Sequence, residues 1–180
     1  MGDDKKSGLI APPARRLAGL PPILGSQTRL LVLGSFPGEM SLARRQYYAH
    51  PQNHFWKIMR ALWPGGDWDL STQNYEKRID WLLGRGLGLW DVYAACEREG
   101  SLDTAIRHSQ VNDFADLRRR CPQLRAIAHN GGESFRHAKH TAALGLPVFK
   151  LPSTSPANAS CSFERKLVAW REVVVAAGLL

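Results

Sequence analysis

The stretch RLLVLGSFPG at residues 29–38 decides the fold of this chain. An apolar run that ends at a glycine predicts a buried strand over residues 29–34. The pattern Gly-x-x-Pro-Gly at residues 34–38 then places a tight turn and backbone N–H groups at the carboxyl end of that strand. Open α/β sheets bind their ligands at this edge. The sequence therefore predicts a parallel sheet with a ligand site beside residues 34–38.

Apolar runs and segments of helical periodicity alternate along the rest of the chain. Further strands are predicted at 86–93, 124–129 and 146–151, and helices at 53–63, 74–84, 112–121, 132–143 and 163–177. Strands that alternate with helices form parallel sheets covered on both faces. We therefore expect an α/β fold, a three-layer α/β/α sandwich with a central four-stranded parallel sheet. Residues 28–180 are predicted to form one domain, preceded by a flexible or loosely docked segment over 1–27.

Composition limits the class of protein. The 180 residues include 24 Lys and Arg against 16 Asp and Glu, a net charge of +8, so a polyanion is a plausible partner. No apolar run approaches the ~18 residues of a membrane span, and residues 1–6 lack the apolar core of a secretory signal. We expect a soluble, cytoplasmic monomer that makes no contact with membranes. Three cysteines far apart predict reduced thiols, and they are too few to ligate an iron–sulfur cluster.

Two further segments carry chemistry. Residues 47–56 read YYAHPQNHFW and combine stacking faces with hydrogen-bonding groups, and residues 151–159 read LPSTSPANA after the last predicted strand. Together with residues 34–38, these segments resemble the motifs of the uracil-DNA glycosylase superfamily. The HPQNHFW part matches the mismatch-specific uracil and thymine glycosylases at every fixed position of their motif. The whole set is most similar to the hypoxanthine-DNA (deoxyinosine) glycosylase branch.

The resemblance implies a monofunctional DNA glycosylase that flips a deaminated base out of duplex DNA and hydrolyses its N-glycosidic bond, with hypoxanthine favoured. No metal or cofactor is implied, and the expected partner is double-stranded DNA containing a damaged base, with association to the nucleoid through DNA. Two alternatives stay open: a uracil or thymine mismatch glycosylase, and a catalytically silent module that binds damaged DNA. A dinucleotide site is not expected, because Pro37 interrupts the glycine-rich window that such a site requires.

The chain departs from the family pattern at two positions. Phe36 stands where the mismatch-specific relatives place an asparagine that positions water, and Leu151 stands where the superfamily usually has a histidine. We therefore expect Asn53 to position the attacking water, with its amide oxygen as acceptor and its NH₂ as donor. The alternative interpretation of Asn53 is a helix N-cap. His50 is the second catalytic candidate, as a group that orients water or protonates the leaving base.

The remaining site residues are predicted to contact the base or the DNA backbone. Tyr48 would stack on the flipped base, or alternatively pack in the core. Asp91 would accept from N1–H of hypoxanthine, while the backbone N–H groups of Ser35 and Phe36 would donate to O6; Asn130 is a candidate at the rim. The loop over 151–159 is expected to donate to phosphates and to enter the groove as the base leaves. Its predicted DNA contacts are Ser153, Thr154, Ser155, Pro156 and Asn158.

Overall fold

A computed structural model describes residues 16–65 and 74–180. The strands in this part of the chain are β1 Arg16–Ala18, β2 Leu30–Gly34, β3 Leu87–Asp91, β4 Tyr93–Glu97, β5 Arg107–Val111, β6 Ala126–Asn130 and β7 Val148–Leu151. The helices are α1 Glu39–Arg44, α2 Phe55–Leu62, α3 Tyr75–Gly84, α4 Leu117–Arg120, α5 Gly132–Phe135, α6 Ala138–Ala142 and α7 Phe163–Ala176. A 3-10 turn covers Asp103–Ala105. None of the described helices is long and apolar enough to cross a membrane.

The central sheet has four parallel strands in the order β3-β2-β6-β7, which confirms the predicted fold class. β2 is fully buried because both faces of the sheet are covered. Leu30 and Val32 pack under α2, α3 and α7, whereas Leu31 and Leu33 pack on the opposite side, which includes residues of α4. Successive residues of a strand point to opposite faces, so one apolar run supplies both halves of the core. The carboxyl ends of all four strands lie at one edge.

A second sheet was not predicted from the sequence. β4 pairs with β1 and β5 in a three-stranded antiparallel sheet, and only Val92 separates β4 from β3. The predicted strand over 86–93 therefore ends at Asp91, and the chain continues into the second sheet at Tyr93. β5 has the sequence RHSQV and is almost entirely exposed, so it lacks the apolar alternation by which a strand is usually recognised.

Two predicted helices are shorter than expected. The helix predicted over 112–121 is reduced to α4, because the Asn112 N–H donates to the Val92 carbonyl and the Asp113 side chain accepts from the Ala115 N–H. Such local bonds from Asn and Asp compete with helix formation. The helix predicted over 132–143 is divided into α5 and α6, and the break falls next to His137, whose ring bonds the Tyr93 hydroxyl.

The chain ahead of β2 runs along the outer edge of the central sheet. Ile23 and Leu89 exchange two backbone hydrogen bonds of 2.8 and 2.9 Å, and Leu20 is buried in the core. The predicted N-terminal segment over 1–27 thus contains β1 and this edge bridge, and its first fifteen residues lie outside the described residues.

The end of β6 is held by a buried histidine. His129 is completely buried, and its two ring nitrogens bond the hydroxyls of Ser134 and Thr141 at 2.8 and 2.9 Å. Burial lowers the pKa of His129 to about 4, so the ring is neutral at physiological pH. The network fixes β6 against α5 and α6, and thereby fixes the next residue, Asn130, at the sheet edge.

Candidate active site

A cleft of about 940 Å³ opens at the carboxyl edge of the central sheet. The last residues of all four parallel strands line it: Gly34, Asp91, Asn130 and Leu151. All twelve residues that the sequence proposed for the site also line this cleft: Ser35, Phe36, Tyr48, His50, Asn53, Asp91, Asn130, Ser153, Thr154, Ser155, Pro156 and Asn158. The structure therefore brings residues from five separate segments of the sequence to one cavity.

A buried carboxyl group lies among the innermost residues of the cleft. Asp91 is 4% exposed, and its Oδ2 has no hydrogen-bond partner in the described part of the chain. Gly34 lies beside it in the sheet register, and a Cβ at that position would collide with Asp91 Oδ1. A buried carboxyl oxygen without a partner is energetically costly. The site thus retains an unused acceptor, which a bound ligand can satisfy.

The pKa of Asp91 is raised to about 7. Burial is the largest cause, because it disfavours the charged carboxylate. The nearby Tyr47 hydroxyl and the positive charge of Arg98 act in the opposite direction, while the negative charge of Asp103 raises the pKa further. Asp91 therefore changes its protonation state close to neutral pH, and its protonated form can both donate and accept.

Tyr48 provides an aromatic wall. Its ring stacks on Phe55 with the centroids 4.1 Å apart and the planes 20° from parallel. The backbone of Tyr48 has φ +55°, a left-handed conformation that few bulky residues adopt. Burial raises the pKa of the Tyr48 hydroxyl, which accepts a hydrogen bond from Asn130 Nδ2 at 3.2 Å. The ring is thus fixed from one side by Phe55 and at its tip by Asn130.

Asn130 connects the Tyr48 ring to the loop after β7. Its Nδ2 also donates to the Thr154 hydroxyl at 2.9 Å, and its Oδ1 accepts from the Thr154 N–H at 3.0 Å. Thr154 is completely buried. These two side chains use their polar groups on each other and on Tyr48, and they connect the centre of the sheet to the loop.

The neighbouring hydroxyls of this loop are arranged differently. Ser153 Oγ accepts from the Ser155 N–H, and Ser155 Oγ accepts from the Ala157 N–H, each at 3.2 Å. Both serine hydroxyls act as acceptors in these bonds, so their own hydrogens remain available as donors. Asn158 Nδ2 donates to the Ser153 carbonyl at 3.1 Å and tightens the loop.

Asn53 stands directly before His54, the N-cap residue of α2, and is therefore not at the cap position predicted for it. Its Oδ1 nevertheless accepts from the Phe55 N–H at 2.9 Å, so Asn53 satisfies a backbone donor of the first helical turn. Among residues 16–65 and 74–180, no acceptor is found for its Nδ2, and the carbonyl oxygen has a second lone pair. His50 lies on the exposed side of the same turn, where its Nδ1 accepts from the Gln52 N–H at 3.2 Å. Within the described ranges, Asn53 thus keeps polar atoms that have no protein partner.

A buried lysine lies beneath the two segments that form this side of the cleft. Lys166 of α7 is 1% exposed; its Nζ donates to the Asn158 carbonyl at 3.0 Å and lies 3.5 Å from His54 Nδ1. The His54 N–H in turn donates to the Thr154 carbonyl at 2.9 Å. Burial lowers the pKa of the Lys166 amine. The start of α2 and the loop after β7 are thus joined through one side chain.

One side of the cleft was not predicted from the sequence. Residues 101–104 line it, and they belong to the segment 98–106 between β4 and β5. Asp103 accepts from the Ser35 hydroxyl at 2.6 Å, and Ser101 Oγ accepts from the Glu39 N–H at 2.9 Å. Burial raises the pKa of Asp103. The segment lacks apolar periodicity, and only the turn residues Gly100 and Ser101 marked it as a loop.

Phe36 contacts the same segment. It is 6% exposed, and the Arg98 guanidinium lies over its ring at 5.1 Å from the centroid. Arg98 is itself buried and donates to the Pro37 carbonyl. Phe36 therefore supports the turn at residues 34–38 through packing and a cation–π contact.

Comparison with known proteins shows the family. The family model for the "Uracil DNA glycosylase superfamily" matches residues 21–174. The chain belongs to this superfamily, which confirms the resemblance found in its motifs. It is 37% identical over 154 residues to a hypoxanthine DNA glycosylase of Methanosarcina barkeri, covering 86% of this chain and 95% of that protein.

A second relative and a solved structure also match this chain over most of its length. A hypoxanthine DNA glycosylase of Methanosarcina acetivorans is 37% identical over 149 residues, covering 82% of this chain and 92% of that protein. The solution NMR structure of a candidate uracil DNA glycosylase from M. acetivorans superposes with a TM-score of 0.80 at 34% identity, covering 91% of this chain and 99% of that one. The fold and the chain's length thus correspond closely to these relatives.

Proposed function

We propose that this protein is a monofunctional DNA glycosylase that excises a deaminated base, with hypoxanthine as the favoured substrate. The observation that carries the proposal is the unpartnered Asp91 carboxyl oxygen in the same cleft as the Tyr48 ring. An enzyme that works on a flipped base needs a flat stacking surface and a polar group for the base edge. The names of the relatives support the same chemistry.

Hypoxanthine presents N1–H as a donor and O6 as an acceptor on its Watson–Crick edge. The Asp91 carboxylate accepts from N1–H, and backbone N–H groups at Ser35 and Phe36 donate to O6. In its protonated form Asp91 accepts with one oxygen and donates to O6 with the other. The base stacks against Tyr48, which Phe55 and Asn130 hold in place.

Bond cleavage follows a dissociative course in this proposal. The N-glycosidic bond breaks first, its electron pair leaves with the base, and the sugar becomes an oxocarbenium-like cation. Asn53 holds the water that adds to the anomeric carbon, and the proton that this water releases passes to the departing base anion, so both products are neutral. His50 is the second candidate for holding the water. Lys150 lines the cleft, but its Nζ lies over the Phe135 ring at 5.6 Å, and we assign no covalent step to it.

DNA contacts come from the loop after β7. The free hydroxyl hydrogens of Ser153 and Ser155 donate to phosphate oxygens, and Pro156 and Asn158 shape the loop around the backbone. Thr154 serves as the buried attachment of this loop, through Asn130. The net charge of +8 favours association with duplex DNA.

The test uses purified protein and duplexes that carry one inosine, uracil or xanthine, with alkali used afterwards to cleave abasic sites. We expect alkali-dependent cleavage that is fastest at inosine, and no cross-link when borohydride is added, because no Schiff base forms. Faster excision of uracil than of inosine would support the mismatch-specific alternative. If the protein binds the duplexes but leaves every damaged base in place, it is a catalytically silent binding module. The observation that favours this second candidate is the departure from the family pattern at Phe36 and Leu151.

The proposed stacking of the flipped base on the Tyr48 ring can be tested by removing that ring. We expect Tyr48→Ala to weaken lesion processing by roughly 1–3 kcal/mol, the usual contribution of one stacked base. Tyr48→Phe serves as the matched control, since it keeps the stacking surface and loses only the contact to Asn130. The measurements are single-turnover excision rates and lesion affinity for both variants. Unchanged values in the alanine variant would remove Tyr48 from the base pocket.

A further inference from the structure

We propose that Leu102 is the wedge of this enzyme, the side chain that enters the DNA stack when the damaged base leaves it. This inference rests on the proposed function, because a wedge is needed only where a base is flipped from a duplex. Proteins that open or kink DNA insert apolar side chains such as leucine between base steps. Leu102 is 57% exposed and lines the cleft.

Leu102 is unusual among the exposed residues of the described chain. The other large apolar side chains that are strongly exposed there, Val168, Val175 and Leu180, belong to α7 or the C-terminus and do not line the cleft. Exposure of Leu102 does not stabilise the free protein, because it leaves apolar surface in contact with water. Contact with a base stack would remove this apolar surface from water.

The chain holds Leu102 firmly from both sides. Its neighbour Ser101 accepts from the Glu39 N–H, and its other neighbour Asp103 accepts from the Ser35 hydroxyl. Leu102 is also the N-cap residue of the 3-10 turn, and its carbonyl accepts from the Ala105 N–H at 3.1 Å. A wedge must resist being pushed back as it enters the stack, and these three contacts supply that resistance.

The opposite lip of the cleft, formed by residues 151–159, has no exposed apolar side chain as long as that of leucine. The loop after β7, which the sequence suggested would enter the groove, carries Pro156 and Ala157 as its exposed apolar residues on the cleft, and both are small. Segment 98–106 continues from the β3 side of the sheet, and this loop follows β7 at the other edge. The two sides of the cleft therefore have different roles. The loop after β7 binds phosphates, and Leu102 of segment 98–106 fills the space that the base vacates.

The test compares one lesion in two contexts, inosine in a duplex and inosine in the same single strand. We expect Leu102→Ala to lower the single-turnover excision rate in the duplex by about tenfold or more, since unstacking a base step costs a few kcal/mol. Excision from the single strand should stay within about twofold, because no duplex has to open. Leu102→Phe should retain most of the duplex rate. Val168→Ala, a truncation of an apolar residue that is 59% exposed on α7, is the matched control.

The outcomes separate the wedge from other roles and from the proposed function itself. An equal loss on both substrates would make Leu102 part of the base pocket, and an unchanged duplex rate would assign its exposure to another partner; either result overturns the wedge. Absence of excision by the unaltered protein would instead contradict the proposed function. In that event 2-aminopurine placed opposite the lesion still reports insertion: its fluorescence should change on binding of the unaltered protein and not of Leu102→Ala.

Discussion

Replacement of Asn53 by alanine should lower the single-turnover excision rate by ~100-fold or more, the usual cost of losing a hydrogen bond made to the transition state. Stability should fall by only about 1 kcal/mol, as for a lost cap, because the Asn53 side chain also satisfies the Phe55 N–H in the first turn of α2. The size of the loss in rate, compared with the loss in stability, therefore distinguishes a catalytic role of Asn53 from a structural one. Rates at saturating enzyme and thermal or denaturant unfolding of the same preparation measure both.

Two variants sharpen this experiment. Asn53→Asp retains an oxygen that can cap the helix and hold water, so it should keep stability and part of the rate. Asn74 is the N-cap residue of α3 and likewise satisfies a backbone donor of a first helical turn, the Lys77 N–H at 3.0 Å, and it does not line the cleft. Asn74→Ala should therefore lose about 1 kcal/mol of stability at an unchanged rate. If Asn53→Ala behaves like Asn74→Ala, Asn53 is a cap alone, and His50 becomes the residue that positions water.

Replacement of Asp91 by asparagine should stabilise the protein above neutral pH while it impairs excision. The pKa of Asp91 rises from 3.8 to about 7 on folding, mainly through burial. Between these values the folded state holds a proton that the unfolded state has released, so this group's contribution to stability falls as pH rises through that window. Above pH 7 the accumulated cost is ~4 kcal/mol. The Asp91→Asn variant would not carry this cost, since the amide never ionises.

The measurement is the free energy of unfolding of both proteins from pH 4 to pH 8. Their difference should be small near pH 4 and should grow toward as much as about 4 kcal/mol near pH 8. Asp80→Asn, on the exposed side of α3, is the control and should show no such trend. A constant difference across the range would mean that Asp91 is not held protonated by the fold. Gain of stability with loss of excision would show that Asp91 is retained for the reaction.

The central sheet could be predicted because its strands are buried on both faces. Residues 30–33 form a continuous apolar run, and a run of this kind bounded by glycine has few other interpretations. β1 and β5 could not be predicted in this way: one has three residues and the other is an exposed strand of polar side chains. Their pairing with β4 is a tertiary effect, since β4 supplies the backbone partners that make them strands.

The site likewise contains residues that could be predicted from the sequence and residues that could not. Residues 47–56 and 151–159 carry family motifs, so Tyr48 and Asn53 were placed in the cleft from the sequence. Leu102 and Asp103 carry no such motif; only the folded chain brings Asp103 to Ser35 and both residues to the cleft. The roles of Thr154 and Asn130 also depended on the structure, because a buried hydroxyl and an exposed one look alike in a sequence.

The chemical reactivity of the buried Lys166 amine should report the position of the loop after β7, because the amine contacts the Asn158 carbonyl of that loop. Acylating reagents attack amines that are accessible and unprotonated, and the depressed pKa satisfies the second condition more readily than usual. In the folded protein the amine is buried and contacts the Asn158 carbonyl and His54, directly before α2. Mass-spectrometric footprinting should therefore find Lys166 labelled far more slowly than the exposed Lys57. Any condition that lifts the loop should raise the labelling of Lys166 selectively, whereas equal labelling of both lysines in the free protein would mean that the loop opens freely.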